Sequence, residues 1–411
     1  MTLASFIQEL DDLFKKRNPL ITRVKSPEKL LAALRDLDAL VEMHDAKKTV
    51  ISQIKYLLIS ITSGRPYSGH MLHTVIYGPP GVGKSRLGVC LAKIWVALGL
   101  LKQPVSIDRS KDKEDQIKQL EDLVNRKERS LQGLQRNHRR HLDLVRTARY
   151  NTTRIERIRY RSNQCRYIDR IVEDLDQVID DLDRARIVES HGNKKEEDVP
   201  FIIAGRPDLV GRFVGHSAPK TRAFFEANRG KVIFIDEAYS LILGPQDSFG
   251  FEALTELNKC MSEYPDEVII QFGGYKDLMH KTIFSEKIGQ PGLERRCPWV
   301  FDITGYTPSG LAAIFQYQLK KDGWSVDANI DLIKFFNCNK ENFKAYGGDT
   351  EKLCFYAKQV YSDLLFEEAK KGEVVYTSCL NLNMLNRAIE ILKKNKVLPL
   401  KNDEPPQTMY M

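Results

Sequence analysis

Two short stretches carry residue types that act on phosphate. The first is Gly78-Pro79-Pro80-Gly81-Val82-Gly83-Lys84-Ser85. Its glycines allow backbone N–H groups to curl inward around an anion, and Lys84 brings a positive charge to the β- and γ-phosphates of a nucleotide. Ser85 offers its hydroxyl to Mg²⁺, and Arg86 follows directly. The second stretch is Asp236-Glu237, two carboxylates closing an apolar run. Asp236 is the residue to help hold Mg²⁺ through water, and Glu237 the one to polarise an attacking water. Adjacent carboxylates are common on surfaces. Joined to a phosphate loop, they read as the hydrolytic half of a nucleoside triphosphatase that uses ATP and Mg²⁺.

Such groups work only if the chain brings them to one place. Residues 73–77 (HTVIY) are short, β-branched and aromatic, which predicts a buried strand ahead of the loop. Leu87, Leu91, Ile94, Trp95 and Leu98 recur at helical spacing behind it. Residues 232–235 (VIFI) predict a second buried strand, ending at the carboxylates. Open α/β sheets gather their chemistry at the carboxyl ends of strands, so both stretches sit where such a sheet needs them.

Composition sets the outer limits. A chain of 411 residues holds one large or two ordinary domains. Its 42% hydrophobic and 29% charged content is ordinary for a globular protein, and a net charge of +8 identifies no partner by itself. The seven cysteines are scattered with no C-x-x-C pair, which argues against a zinc site or a disulfide framework. No apolar segment resembling a signal peptide opens the chain, and no run approaches the ~20 residues that cross a bilayer. The expectation is a cytoplasmic protein with no membrane partner; a nucleus, organelle or virion stays open.

Further strings narrow the class. Residues 208–241 read DLVGRFVGHSAPKTRAFFEANRGKVIFIDEAYSL, followed by GGYKDLM at 273–279 and QPGLERRC at 290–297. These resemble the CbbX and stage V sporulation protein K group of AAA+ ATPases, which includes the red-type Rubisco activase. The resemblance covers roughly residues 38–110 and 199–395. It implies an α/β P-loop AAA+ core with a parallel sheet, a C-terminal helical lid, and a homo-oligomeric ring, usually a hexamer, with ATP hydrolysed between subunits. It places Phe213 at the aromatic of the first pore loop. Arg296 falls at the position that reaches a neighbour's γ-phosphate, with Arg295 beside it, and Tyr275 near a polar sensor position. One departure stands out. Where the group's lid carries arginine in Gly-Asn-Ala-Arg, this chain reads Gly348-Asp349-Thr350-Glu351-Lys352. Glu351 repels a phosphate, and Lys352, the candidate sensor, lies about 100° further round a helix.

Residues 111–198 have no counterpart in that group's pattern. Ile117, Leu120, Val124, Lys127, Leu131, Leu134, His138, His141, Val145 and Ala148 step by three and four, as do Cys165, Ile168, Val172, Leu175, Ile179 and Leu182. Two successive heptad seams predict an inserted antiparallel coiled-coil hairpin. Arg126 to Arg170 contains fourteen Lys or Arg against four Asp or Glu, whereas the rest of 111–198 has seven against fifteen. A basic tip on an acidic stalk suits nucleic acid or an acidic protein; a generic solvated coiled-coil surface fits the charges about as well.

The expected organisation is an N-terminal helical arm at 1–37, read as a docking element, and an interrupted AAA+ core at 38–306. The hairpin follows at 111–198, the helical lid at 307–395 and a tail at 396–411. Three functions remain open from sequence: a ring that remodels a protein substrate through its pore, a nucleic-acid motor or loader using the hairpin, or a weakly hydrolysing regulatory ring.

Overall fold

The computed structural model describes residues 1–63, 72–102, 200–213, 215–370, 372 and 376–396. The predicted hairpin at 111–198 and the tail at 397–411 lie outside the described residues. Five strands form one sheet: β1 (Thr74–Tyr77), β2 (Phe201–Ala204), β3 (Lys231–Ile235), β4 (Val268–Gly274) and β5 (Trp299–Asp302). Their order is β2-β3-β4-β1-β5, and every pairing is parallel.

Alternation along the strands serves two cores, because successive side chains point to opposite faces. Val75, Tyr77, Ile233, Ile235, Ile270 and Phe272 pack to one side with Phe225 and Leu257. Those last two come from α5 (Ser217–Ala227) and α6 (Ser248–Glu263). Ile76, Val232, Phe234 and Ile269 pack to the other side with Leu91 and Trp95 of α4 (Lys84–Leu98). Both faces are covered, as a parallel sheet requires.

The N-terminal segment corrects an expectation. Residues 1–37, read as a docking arm, belong instead to the second of these cores. Leu3, Phe6 and Leu10 of α1 (Leu3–Lys15) and Leu30, Leu34 and Leu37 of α2 (Pro27–Asp38) are buried there. The α2–α4 junction is closed by Lys93 Nζ on Asp36 at 2.6 Å, and by Ser26 N donating to Ala97 O at 3.0 Å. The amphipathic stripe that suggested docking is already used inside the chain. Next comes α3 (His44–Ser63), leading toward β1.

Beyond β5, Thr307 caps α9 (Pro308–Lys321), its hydroxyl accepting from Gly310 N at 3.2 Å, with Pro308 in the first turn. Two short helices precede it, α7 (Lys276–Lys281) and α8 (Pro291–Arg295). Three more helices follow, α10 (Leu332–Cys338), α11 (Gly347–Ala369) and α12 (Leu382–Lys396). Phe315, Phe336, Phe343 and Leu353 join this helical region to the same core as α1–α4.

Candidate nucleotide site

Strand register brings the two phosphate-acting stretches level. Tyr77 at the end of β1 pairs with Gly274 at the end of β4, and Gly78 N donates to Gly274 O at 3.1 Å. On the other side of β4, Ile235 at the end of β3 pairs with Phe272. Asp236 and Glu237 therefore leave the sheet beside Tyr275, at the height of the glycine loop. Lys84 spans the gap. Its Nζ stands 3.9 Å from Glu237 Oε1 and 5.7 Å from the centre of the Tyr275 ring. Lys84, Glu237 and Tyr275, read separately from sequence, meet at one point.

The loop is built for tight approach. Gly81 and Gly83 have φ of +73° and +86°, conformations that cost other residues energy. A Cβ on Gly81 would stand 2.0 Å from the carbonyl oxygen of Ala345, which belongs to the helical region. Gly347 N donates to Gly81 O at 3.1 Å, and Tyr306 Oη donates to Val82 O at 2.7 Å. Burial pushes the Tyr306 hydroxyl up to about 12, so it stays a donor at any ordinary pH.

The donor set fits a polyphosphate with water at its end. Lys84 is only 6% exposed and donates to the carbonyls of Gly78 at 3.0 Å and Pro79 at 3.1 Å, which are neutral acceptors. Glu237 Oε2 is shut from solvent without a hydrogen-bond partner. Phosphate oxygens supply anionic acceptors for Lys84, and a water supplies the donor that Oε2 needs. Glu237 also sits in the left-handed region at φ +47°, ψ +46°. Such strain costs a non-glycine residue about 1–3 kcal/mol and is characteristic of functional positions. Asp236 Oδ1 accepts from Glu237 N at 3.0 Å, and Ser85 lies half-buried in the first turn of α4. Burial and then the Glu237 carboxylate raise the hydroxyls of Tyr239 and Tyr275, leaving neutral phenols beside the site.

The remaining candidates lie elsewhere on the surface. Arg296 follows α8 and folds onto α6: Nε and Nη2 donate to Ser262 Oγ at 3.1 and 2.9 Å, and Nη1 to Gly292 O at 2.8 Å. Both acceptors are neutral, and Arg296 forms no ion pair among the described residues. Arg295 is exposed. Phe213 is 43% exposed, its ring meeting His216 edge-on at 5.5 Å. His216 N donates to Phe213 O at 3.2 Å. Glu351 and Lys352 are both exposed on α11. Arg86 turns from the glycine loop to α9, donating from Nη2 to Tyr317 Oη at 3.3 Å, with its guanidinium 5.2 Å from the centre of that ring.

The sequence profile of the ATPase family associated with various cellular activities (AAA) matches residues 175–285, a span that includes Phe213, Asp236, Glu237 and Tyr275. The CfxQ-like and stage V sporulation protein K relatives agree with it. A cfxQ-like protein of Acanthamoeba polyphaga mimivirus is 24% identical over 385 residues, 92% of this chain and 68% of the relative. Stage V sporulation protein K of Bacillus subtilis is 35% identical over 142 residues, 33% of this chain and 43% of its own. A chloroplastic ribulose bisphosphate carboxylase/oxygenase activase of Cyanidioschyzon merolae is 36% identical over 134 residues, 32% of this chain and 44% of its own.

The chain is similar to AAA ATPases of the CfxQ and stage V sporulation protein K group.

Its match to the bacterial and algal relatives spans under half their length, whereas the viral match runs through most of this chain. An alignment of that reach has to enter residues 111–198. The family's chemistry is nucleotide binding and ATP hydrolysis, which the phosphate loop and the Glu237 geometry suit.

One wall of this site gave no sequence signal. Glu42 and Met43 are consecutive non-glycine residues with φ of +55° and +50°. Glu42 accepts from Thr307 N at 3.2 Å and from the Thr307 hydroxyl, so the segment before α3 is tied to the start of α9. The Met43 methyl group lies 3.2 Å from where a Cβ on Gly83 would stand. Nothing in Val41-Glu42-Met43 marks a turn, because glycine, asparagine and aspartate are the usual left-handed residues. Among the described residues no helix is long and apolar enough to cross a membrane.

Proposed function

We propose that this chain is an AAA+ ATPase that assembles into a homo-oligomeric ring, a hexamer by analogy with the group it resembles, and couples ATP hydrolysis to remodelling of a protein substrate drawn into a central pore. The observation that carries the hydrolytic part is the meeting of Lys84, Glu237 and Tyr275 at the carboxyl ends of β1, β3 and β4. Lys84 exchanges its two carbonyl acceptors for β- and γ-phosphate oxygens. Glu237 orients a water for in-line attack and takes up its proton. Mg²⁺, held by Ser85 and through water by Asp236, would neutralise phosphate charge. Arg296, with Arg295 beside it, reaches the γ-phosphate in a neighbouring subunit and stabilises the charge that develops there.

The exposed Phe213 supports the polypeptide substrate. An exposed aromatic ring grips a chain through its apolar face, whatever the sequence of that chain. The basic segment 126–170 supports a second reading, in which nucleic acid is the partner, and its residues lie outside the described structure. Exposure of Glu351 and Lys352 supports a weakly hydrolysing regulatory ring. One panel separates the three: ATPase rate alone, with an unfolded polypeptide, and with DNA and RNA. Stimulation by the polypeptide and by neither nucleic acid is the expected result. Stimulation only by DNA or RNA transfers the protein to the second class, and a slow rate that nothing alters transfers it to the third.

A further inference from the structure

A buried charge pair unused by the chemistry lies behind the Phe213 loop. Arg206, in the single helical turn after β2, binds Asp247 with both guanidinium ends, Nη1 to Oδ2 at 2.6 Å and Nη2 to Oδ1 at 3.1 Å. Nη1 also donates to Leu241 O at 2.5 Å. Asp247 in turn caps α6, accepting from Gly250 N at 3.0 Å, and accepts from Leu243 N at 2.9 Å. Its side chain is only 9% exposed. Burial alone raises this carboxyl; Arg206 and the two backbone N–H groups outweigh it and hold Asp247 below its ordinary range. A Cβ on Gly250 would stand 2.2 Å from Leu241 O and 3.0 Å from Arg206 Nη1, so the backbone closes tightly over the pair.

The pair joins segments with different duties. Leu241 ends the one-turn helix Ala238–Leu241, which begins at the strained Glu237 and is held to it by Ser240 N donating to Glu237 O at 2.8 Å. Arg206 opens the turn that runs into the Phe213 loop, and Asp208 fixes that turn by accepting from Gly205 N at 2.8 Å. A backbone shift at Glu237 therefore reaches Arg206 through the Leu241 carbonyl within one helical turn.

We propose that the Arg206–Asp247 pair is a positioning clasp that passes the state of the phosphate site at Glu237 to the Phe213 loop, coupling hydrolysis to grip. The proposal rests on the reading of Phe213 as the gripping residue. Two planar groups joined by parallel hydrogen bonds define an orientation as well as a distance, which a lysine or an amide cannot reproduce. Such a contact transmits rotation of the turn rather than merely tethering it.

Amide exchange followed by mass spectrometry tests this on the full chain, with ADP and with a non-hydrolysable ATP analogue. In the wild type, nucleotide protects the 78–88 segment, and exchange in the 206–216 segment differs between the two nucleotides. In Asp247→Asn and in Arg206→Lys, protection of 78–88 and basal ATPase persist. The nucleotide-dependent difference at 206–216 disappears, and so does stimulation by unfolded casein. Arg206→Lys keeps the charge and leaves the α6 cap intact, so it carries the test if Asp247→Asn fails to fold, which thermal unfolding reveals. A 206–216 segment that still responds to nucleotide in the folded variants overturns the clasp, as does retained casein stimulation. Absence of any response at 206–216 in a wild type that protects 78–88 also overturns it, while leaving the nucleotide site standing. Absence of protection at 78–88 in the wild type removes the nucleotide reading and the clasp together.

Discussion

Glu237 shows how a single residue can be shaped for work rather than for stability. It occupies left-handed backbone, keeps one carboxylate oxygen from solvent without a partner, and faces the Lys84 ammonium at 3.9 Å. Replacing it with glutamine preserves the shape and removes the proposed base. Glu237→Gln is expected to bind ATP while its turnover falls by about 10²-fold or more, measured as steady-state phosphate release beside nucleotide-binding fluorescence. A near wild-type rate would remove Glu237 from the chemistry. Lys84→Ala is expected to fail earlier, at binding, because no other buried ammonium among the described residues points into the loop. Retained tight binding in a nucleotide titration would contradict that role.

At the scale of elements, the helices before β1 carry as much of the core as those after it. Leu30, Leu34 and Leu37 of α2 are each 0% exposed. Leu34→Ala leaves a cavity in the core around α2 and is expected to cost about 2–5 kcal/mol in urea unfolding. A change near zero would mean that the N-terminal segment does not pack as described. Tyr306 makes a smaller tie, between the end of the core and the phosphate loop. Tyr306→Phe removes the donor to Val82 O and is expected to cost about 0.5–1.5 kcal/mol, with weaker nucleotide binding because the loop is less firmly held. Loss of stability with unchanged affinity would separate the bond from the site.

At the scale of the whole molecule, the proposed arginines must act on another copy of the chain. Arg296→Ala is expected to bind ATP and not hydrolyse it. Mixed with Glu237→Gln subunits, it regains part of the activity, since some interfaces then combine an intact Glu237 with an intact Arg296. No recovery in rings shown to be mixed would contradict action between subunits, and the same scan on Arg295 identifies which of the neighbours is responsible. Arg296 is the first choice because its hydroxyl and carbonyl partners leave its charge uncompensated. For the basic segment, binding to a duplex through about six phosphates gives a log–log salt slope near −5, from ~0.9 per phosphate. Binding that ignores salt, beside tip-dependent stimulation by a protein, assigns the segment to protein docking.

The sequence by itself determined the glycine loop, the strand–carboxylate pair, the α/β class and most of the C-terminal helices, because each is encoded over a few neighbouring residues. Glycine spacing sets backbone curvature, β-branched runs set strands, and Thr307-Pro308 or Asp331 set helix starts. Only the tertiary structure decided that β4 separates β3 from β1, so that Glu237, Tyr275 and Lys84 share one height. Only it turned the stripe of α1 and α2 inward, since amphipathicity specifies that a face must be covered and says nothing of what covers it. The Glu42–Met43 strap and the Arg206–Asp247 clasp were invisible for the same reason. Their partners are distant in the chain, and the geometry that joins them depends on strand order and register, which local periodicity does not encode.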